Sequence, residues 1–371
     1  MNFNFAVALT ALGLGAAFRI ANEARVAADY LFASLLPEIN KTTYNINSGQ
    51  MIVRATMAGL VGMDSPYPPG GIVELSTFLE RTAKVANTVT LTEQALREIQ
   101  AMLAQVQISG GSTTDAMVNE ALNFLNKIVI QPHLDTFEWL RGQALLGAIS
   151  WTFNGIVLSV NYGIPTANLL ANRTGTAHYG GAASVFWADL RTLRKQLKGN
   201  VRALIAHPDT IDLIRYNTAN SLATVSQVGD GGSGTVFTFR RLNTNGQFTP
   251  DVMDVVQLIS YGKEAEVFDV ANPGTTLKIP FMARGKIIGV GNNERNGYEI
   301  GQGSTQDPTL GNALGYTHIA PTVEGGGKPG RWAQMFTPEQ QPWQLQGRGV
   351  TNGLPVVETP EKIAIMSTDM A

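Results

Sequence analysis

The sequence predicts an α+β protein, and three observations carry that prediction. Long stretches between residues 90 and 146 keep their apolar residues at helical spacing, while residues 42–85 and much of 235–320 read as β-like runs broken by turn residues. Between them lies "ISWTFNGIVLSVNYG", Ile149 to Gly163, in which two alternating apolar runs meet at Asn154-Gly155. That dipeptide readily takes the positive φ angles of a two-residue hairpin turn.

Taken in order, the chain opens on "MNFNFAVALTALGLGAAFRIA", whose run from Phe5 to Phe18 carries no charge. It has the length of a signal-peptide core but lacks the basic residues that precede one, so an arm that buries itself against another surface is expected. Arg19 to Leu36 has helical character and stops before Pro37, which cannot continue a helix. Residues 42–85 follow as two β-like runs flanking "MDSPYPPGG". Three prolines and two glycines exclude a regular ladder at this tip, formed by Asp64, Ser65, Pro66, Tyr67, Pro68 and Pro69. Since a two-stranded ribbon is marginal alone, it is expected to lie on a neighbour and its tip to make an inter-subunit contact.

Thr90 and Glu93 have capping-box spacing ahead of Leu96, Ile99, Leu103 and Val106, which predicts a helix. A second stripe through Val118, Leu122, Leu125, Val129, Phe137, Leu140 and Ala144 runs from Asp115 to about Leu146. Such a helix would reach about 48 Å at 1.5 Å per residue, and Pro132 within it should bend it without ending it. The Asn154-Gly155 hairpin comes next, then a turn-rich linker, "ANRTGTAHYGG". "SVFWADLRTLRKQLKGN" reads as an amphipathic helix closed by Gly199, "VRALIA" as a buried strand, and "DTIDLIRYN" as a helix capped by Asp209. Short strands "TVFTFRR", "EAEVFDV", "TLKIPFM" and "KIIGVG" follow. The tail strand Lys362 to Met366 must pair with something already folded, the hairpin being the expected partner.

Composition narrows the function. Apolar residues make up 44% of the 371 and charged residues only 15%, so the chain is globular but poor in the charges that cover an isolated surface. A net charge of −2 offers no basic stripe for sequence-specific nucleic-acid reading. With no cysteine, thiol chemistry and cysteine-bound metal are excluded. No apolar run approaches the roughly 20 residues of a membrane span.

Apparent enzyme motifs fail on inspection. "GVGNNE" from Gly289 lacks the third glycine of a dinucleotide fingerprint, and "VEGGGKPG" puts Pro329 where a phosphate loop needs Ser or Thr. "GGSGT" around Ser233 misses the closing glycine of a nucleophile elbow. His133, His178, His207 and His318 are scattered, and "HPD" at His207 reads as a strand end and a helix cap. Glu264 and Glu266 share one face of a strand as an exposed acidic edge, and the tryptophans at 139, 151, 187, 332 and 343 read as core or interface anchors. No catalytic, cofactor-binding or metal-binding residue is assigned.

The order of elements resembles that of tailed-bacteriophage major capsid proteins, the Hong Kong 97 fold, and within them the phage lambda major head protein family and its Thermus-phage relatives. The resemblance rests on "DYLFASLLPEINKTTYNINSGQMIVRATMAGLVG", "STFLERTAKVANTVTLTEQALREI", "VRALIAHPDTIDLIRYN" and "VVETPEKIAIMST", spread from about residue 29 to 368. It implies an N-terminal arm at 1–41, an extended loop at 42–90, a peripheral domain at 91–174 and 331–371 with the long helix as its spine, and an axial domain at 175–330. It further implies no enzymatic activity, self-assembly as hexamers and pentamers into an icosahedral head around double-stranded DNA, and a virion protein assembled in the host cytoplasm. A separate scaffold protein, a portal, possible decoration proteins and non-specific contact with packaged DNA are the implied partners, and no membrane is. An encapsulin-like cellular compartment shell and an α/β hydrolase are the alternatives to be tested.

Overall fold

Two neighbouring strands of this protein are buried almost throughout, Lys286–Gly291 after its first residue and Ile363–Thr368 along its whole length, and Val201–Ala206 beside them is buried over its last three residues. Strands this apolar need cover on both faces, which places them at the middle of a sheet. The computed structural model describes residues 30–55, 71–91, 94, 97, 101, 130–153, 156–199, 201–229, 233–251, 254–268, 275–291, 313–336 and 345–370. Its class is α+β, as the sequence predicts.

The described chain enters through helix α1 (Leu31–Leu35) and strand β1 (Glu38–Asn40), then runs out and back as β2 (Asn45–Ala55) and β3 (Gly71–Arg81) before β4 (Ala83–Leu91). Helix α2 (Gln131–Leu145) leads into the hairpin β5 (Ala148–Phe153) and β6 (Ile156–Asn161). Then come β7 (Leu169–Arg173), α3 (Phe186–Gln196), β8 (Val201–Ala206), α4 (Pro208–Arg215), β9 (Leu222–Val228), β10 (Val236–Arg241) and β11 (Val255–Ser260). A ribbon of β12 (Glu264–Phe268) and β13 (Thr276–Pro280) precedes β14 (Lys286–Gly291), β15 (Gly315–Ala320), β16 (Arg331–Phe336), β17 (Leu345–Val357) and β18 (Ile363–Thr368).

Two sheets organise these elements. In the first, β17 carries β4 on one edge and both β15 and β16 on the other, with β1 parallel to β15. The second runs β7-β18-β14-β8-β11-β10-β9. Each sheet draws strands from both sides of the expected boundary at 330/331. Helices α3 and α4 cover one face of the second sheet through Phe186, Leu190, Leu193, Ile211 and Ile214. Helix α2 packs into the other core through Leu134, Phe137, Leu140 and Leu145. That contact is close: a Cβ added at Gly142 would lie 2.4 Å from the Phe281 carbonyl oxygen, so only glycine lets the helix sit there.

The structure corrects four local expectations. First, the tail strand β18 pairs antiparallel with β14 (Lys286↔Ser367 to Val290↔Ile363) and parallel with β7, not with the hairpin. All six of its residues are buried, whereas the hairpin exposes Ser150, Val157, Ser159 and Asn161 and has no two-sided cover to offer. Tyr162 instead ties the hairpin end to β17, its hydroxyl donating to the Pro355 carbonyl at 2.8 Å. Second, Thr90 is a strand residue paired with Gln346, so it does not cap the following helix; Gln94, Arg97 and Ala101 are helical, and 92–93 lie outside the described residues. Third, α4 is capped by His207, whose Nδ1 accepts the Asp209 N–H at 3.2 Å, because Pro208 fills the first helical position and leaves Asp209 in the first turn. Fourth, α3 is capped by Leu197 and ends in a Schellman turn in which Lys198 takes the left-handed position after the cap, with Gly199 following it at a φ of 77°. The Gly199 N–H bonds Arg194 O at 2.7 Å and the Lys198 N–H bonds Lys195 O at 3.0 Å.

Candidate assembly surface

Of the residues singled out from the sequence, Asp64 to Pro69 and Asn154-Gly155 lie outside the described residues. Around them, β2 and β3 pair without a register shift from Asn45↔Arg81 to Ala55↔Gly71, and β5 and β6 pair up to Phe153↔Ile156. Eleven paired residues at about 3.4 Å each make a ribbon about 35 Å long. Among the described residues no third strand joins it. Pro132 sits in the first turn of α2, where its missing N–H is tolerated, and the residues before Ile130 where a bend would lie are not described.

What the structure adds is the root of the ribbon. The strand β3 passes through the single residue Thr82 into β4, and the Thr82 N–H donates to Tyr44 O at 3.1 Å. On the outgoing side His318 of β15, buried, lies 2.7 Å through Nε2 from the Thr43 carbonyl, which can only accept, so Nε2 carries the proton. On the return side His133 of α2 meets Asn87 Oδ1 of β4 through Nε2 at 2.7 Å. Burial, and after it the charge of Arg331, pushes the His133 pKa down to about 4, so this imidazole is neutral near pH 7. Burial likewise lowers the pKa of His318.

Beside this root lies a charge cluster that unites segments far apart in the chain. Arg141 of α2 is fully buried and donates Nη2 to Glu38 Oε1 at 2.7 Å, Nη1 to Glu138 Oε2 at 3.2 Å and Nε to Thr317 Oγ1 at 2.9 Å. Arg331 of β16 donates to the same Glu38 oxygen. The other Glu138 oxygen accepts from the Phe32 N–H at 2.8 Å and the Tyr261 hydroxyl at 2.7 Å. Thr317 passes its own proton to Leu36 O at 2.8 Å. Two guanidiniums face two carboxylates, so the cluster is neutral as a whole. Burial opposes ionisation of Glu38 and is the largest single influence on it, yet Arg331 and Arg141 together hold its carboxyl below the ordinary value. Burial and then the Glu138 charge raise the Tyr261 pKa, so its hydroxyl stays a donor.

Sequence reasoning missed Glu38, Glu138, Arg141, Tyr261, Thr317 and Arg331. One signal was present: Glu138 and Arg141, three apart, follow directly on Phe137 and Leu140 of the apolar stripe, where unpaired charges could not be buried. Nothing in the sequence pointed to Arg331.

The motif-like segments have structural roles. Gly289 lies in β14, where an added Cβ would come 2.9 Å from Leu193, so α3 rests directly on the strand. Glu324 of "VEGGGKPG" meets Lys84 at 2.6 Å at the surface, and Ser233 of "GGSGT" accepts the Gly262 N–H at 3.0 Å. Glu264 and Glu266 lie on β12 opposite Pro280 and Lys278, with the Arg284 guanidinium 3.6 Å from Glu264. Trp139 and Trp151 pack edge to face with ring centroids 5.6 Å apart. Among the described residues no group of three or more His, Asp or Glu is arranged to hold a metal ion, and no helix is long and apolar enough to cross a membrane.

No protein-family model and no curated protein matches the chain. Among solved structures, a protein of an E. coli CFT073 prophage described as a capsid protein aligns with a TM-score of 0.48 and 11% identity over 91% of this chain and 93% of that one. The SrpI encapsulin of Synechococcus elongatus PCC 7942, in its holo complex, gives 0.45 and 12% over 93% and 89%. The mature capsid of bacteriophage PhiM1 gives 0.41 and 7% over 91% and 86%.

Proposed function

We propose that the chain is a shell-forming subunit with the Hong Kong 97-type arrangement, a major capsid protein that assembles as hexamers and pentamers into the icosahedral head of a tailed bacteriophage around double-stranded DNA. One observation carries the reading: a ribbon about 35 Å long with no third strand among the described residues, its root fixed by buried polar contacts to α2 and β15. A free two-stranded ribbon has no stability of its own to justify so firm a root; a ribbon that docks on a neighbouring copy does. The four segments quoted for the family resemblance support the same reading. In it Pro132 bends the spine helix, Asn154-Gly155 sets the hairpin register, and 331–371 joins 91–174 in the peripheral domain beside the axial 175–330. A separate scaffold protein, a portal and decoration proteins are the corresponding partners, and assembly takes place in the host cytoplasm.

Negative-stain microscopy of the expressed protein tests this directly, with closed shells as the expected result. Deletion of Asp64 to Gly71 should leave folded, soluble protein that forms no closed shells; normal particles from the deletion would remove the loop tip from the inter-subunit contact. Nucleic acid inside the particles fits a viral head, whereas a docked protein cargo would indicate a cellular compartment.

A further inference from the structure

The chain carries the tripeptide Thr-Asn-Gly twice, at Thr244-Asn245-Gly246 and at Thr351-Asn352-Gly353. When glycine follows asparagine, its backbone nitrogen reaches the asparagine side-chain carbon easily, because no Cβ hinders the approach. Sequence alone gives the two sites the same reactivity, and the fold separates them. Asn352 lies in β17, 9% exposed, with β15 paired to it on one side at Ala320 and β4 on the other at Lys84. Its Nδ2 donates to the Pro321 carbonyl at 2.6 Å. A Cβ added at Gly353 would lie 2.7 Å from the His318 carbonyl oxygen and 2.8 Å from the Phe137 ring, so the backbone there is packed too closely to admit water or to move.

Asn245 stands in the opposite setting. It is exposed in the loop that follows β10, which the Leu242↔Phe248 bridge closes. Asn243 braces that loop, its Oδ1 accepting the Asn245 N–H at 3.0 Å and the Gln247 N–H at 2.9 Å. The Asn245 side chain has no hydrogen-bond partner among the described residues, and nothing lies within 4 Å of a Cβ added at Gly246. The Gly246 N–H donates to the Asn243 carbonyl at 3.0 Å, a single bond in an exposed turn that holds the nitrogen back by about ten-fold or less. Gly246 has a φ of 73°, which glycine takes without strain, so the turn itself keeps a glycine after this asparagine.

We infer that Asn245 is a self-modification site, at which the folded chain deamidates through a succinimide while Asn352 stays intact. The Gly246 nitrogen gives its proton to solvent and attacks Asn245 Cγ. The bond from Cγ to the side-chain nitrogen breaks, and that nitrogen takes up a proton and leaves as ammonia. Water then opens the succinimide at one of its two carbonyls, leaving aspartate or, with the chain rerouted through the side chain, isoaspartate. Amide and water become carboxylic acid and ammonia, and no oxidant or reductant takes part. The product adds one negative charge to a chain of formal net charge −2, and the isoaspartate form also lengthens the backbone inside the loop that Asn243 braces. None of this depends on assembly into a shell.

The test is peptide mapping of the full-length, unassembled chain held near neutral pH, with and without urea. Cleavage after Lys and Arg puts the two sites in separate peptides, Leu242–Lys263 and Gly349–Lys362. Mass spectrometry follows each conversion, and methylation by a protein isoaspartate methyltransferase measures the isoaspartate. In the folded chain Asn245 should convert at least about ten-fold faster than Asn352, because freeing Asn352 means breaking the pairing of β17 on both sides. In urea, where that protection is lost, the two rates should converge. Asn245→Gln, whose longer side chain must close a larger ring, should remove the fast conversion from Leu242–Lys263; its persistence would move the reaction to Asn243 and overturn the assignment. Equal rates in the folded chain, an Asn245 that stays intact while both sites convert in urea, or aspartate formed without isoaspartate would overturn it as well.

Discussion

Replacing Arg141 by Met removes one cation from a cluster that no solvent can rescue. Glu138 would keep the Phe32 N–H and the Tyr261 hydroxyl but lose its cationic partner, and Glu38 would be left with Arg331 among the described residues. Stranding a buried charge in this way costs about 3–5 kcal/mol. Glu138→Gln alone retains an oxygen to accept those two donors and leaves Arg141 paired with Glu38, so its expected cost is smaller, about 1–3 kcal/mol. Since each substitution removes the partner that the other would strand, the double variant should be more stable than the sum of the single losses by about 1.5 kcal/mol or more. Urea unfolding of the purified unassembled subunit at pH 7, with midpoint and slope compared across the four proteins, measures the cycle. Losses that add to within about 0.5 kcal/mol would refute the claim that the two side chains act as one buried unit. The Glu38 carboxyl, held below its unfolded value, adds a sign to the same experiment. Its stabilisation is present above about pH 4.3 and is lost as the pH falls through the folded pKa.

His133 predicts a second pH dependence. Its pKa is about 4 when folded against about 6.5 unfolded, so the unfolded chain binds more protons between those values and stability falls as the pH drops from about 6.5 to about 4. The gap corresponds to about 3 kcal/mol, and in His133→Gln the urea midpoint should fall less over that window; an identical profile would refute the assignment. For Lys198→Gly, relief of the left-handed backbone should raise stability by about 1 kcal/mol, seen as a higher urea midpoint with unchanged slope. A lower midpoint would mean that the lysine makes a stabilising contact worth more than the strain.

The legible parts of the fold were those fixed by neighbours in sequence. Pro37 ends α1, the alternation on both sides of Asn154-Gly155 gives β5 and β6, and the stripe Phe186, Leu190, Leu193 gives α3. The cap of α4 was misread by two residues because His and Asp can both accept an N–H, and only the frame set by Pro208 at the first helical position decides between them. Sheet order was not legible. Pairing β4 with β17 joins residues near 87 to residues near 349, and side-chain alternation says which face a strand buries without saying which strand lies beside it. The same distance hid the charge cluster beside the ribbon root: Glu38, Arg141 and Arg331 meet only because β1, α2 and β16 converge.

Apolar packing alone could hold a ribbon root, and burying Glu38, Glu138, Arg141 and Arg331 instead is not the route to greatest stability, since well-packed apolar substitutes for a buried ion cluster are often as stable or more so. The two differ in direction. Hydrophobic contact is non-directional and tolerates sliding, whereas Arg141 satisfies Glu38, Glu138 and Thr317 at 2.7, 3.2 and 2.9 Å through three separate nitrogens and only in one register of α2 against β1 and β15. A small angular slip at the base is multiplied along a ribbon about 35 Å long: a rotation of 10° moves the far end by about 6 Å, more than the spacing of neighbouring strands. Under the proposed docking of the ribbon on a neighbouring copy, a subunit therefore gains more from a root with one permitted geometry than from one with lower free energy. On that proposal the charge cluster, by holding β1 and β15 in one register beside the ribbon root, would help to fix the angle at which the ribbon leaves the body.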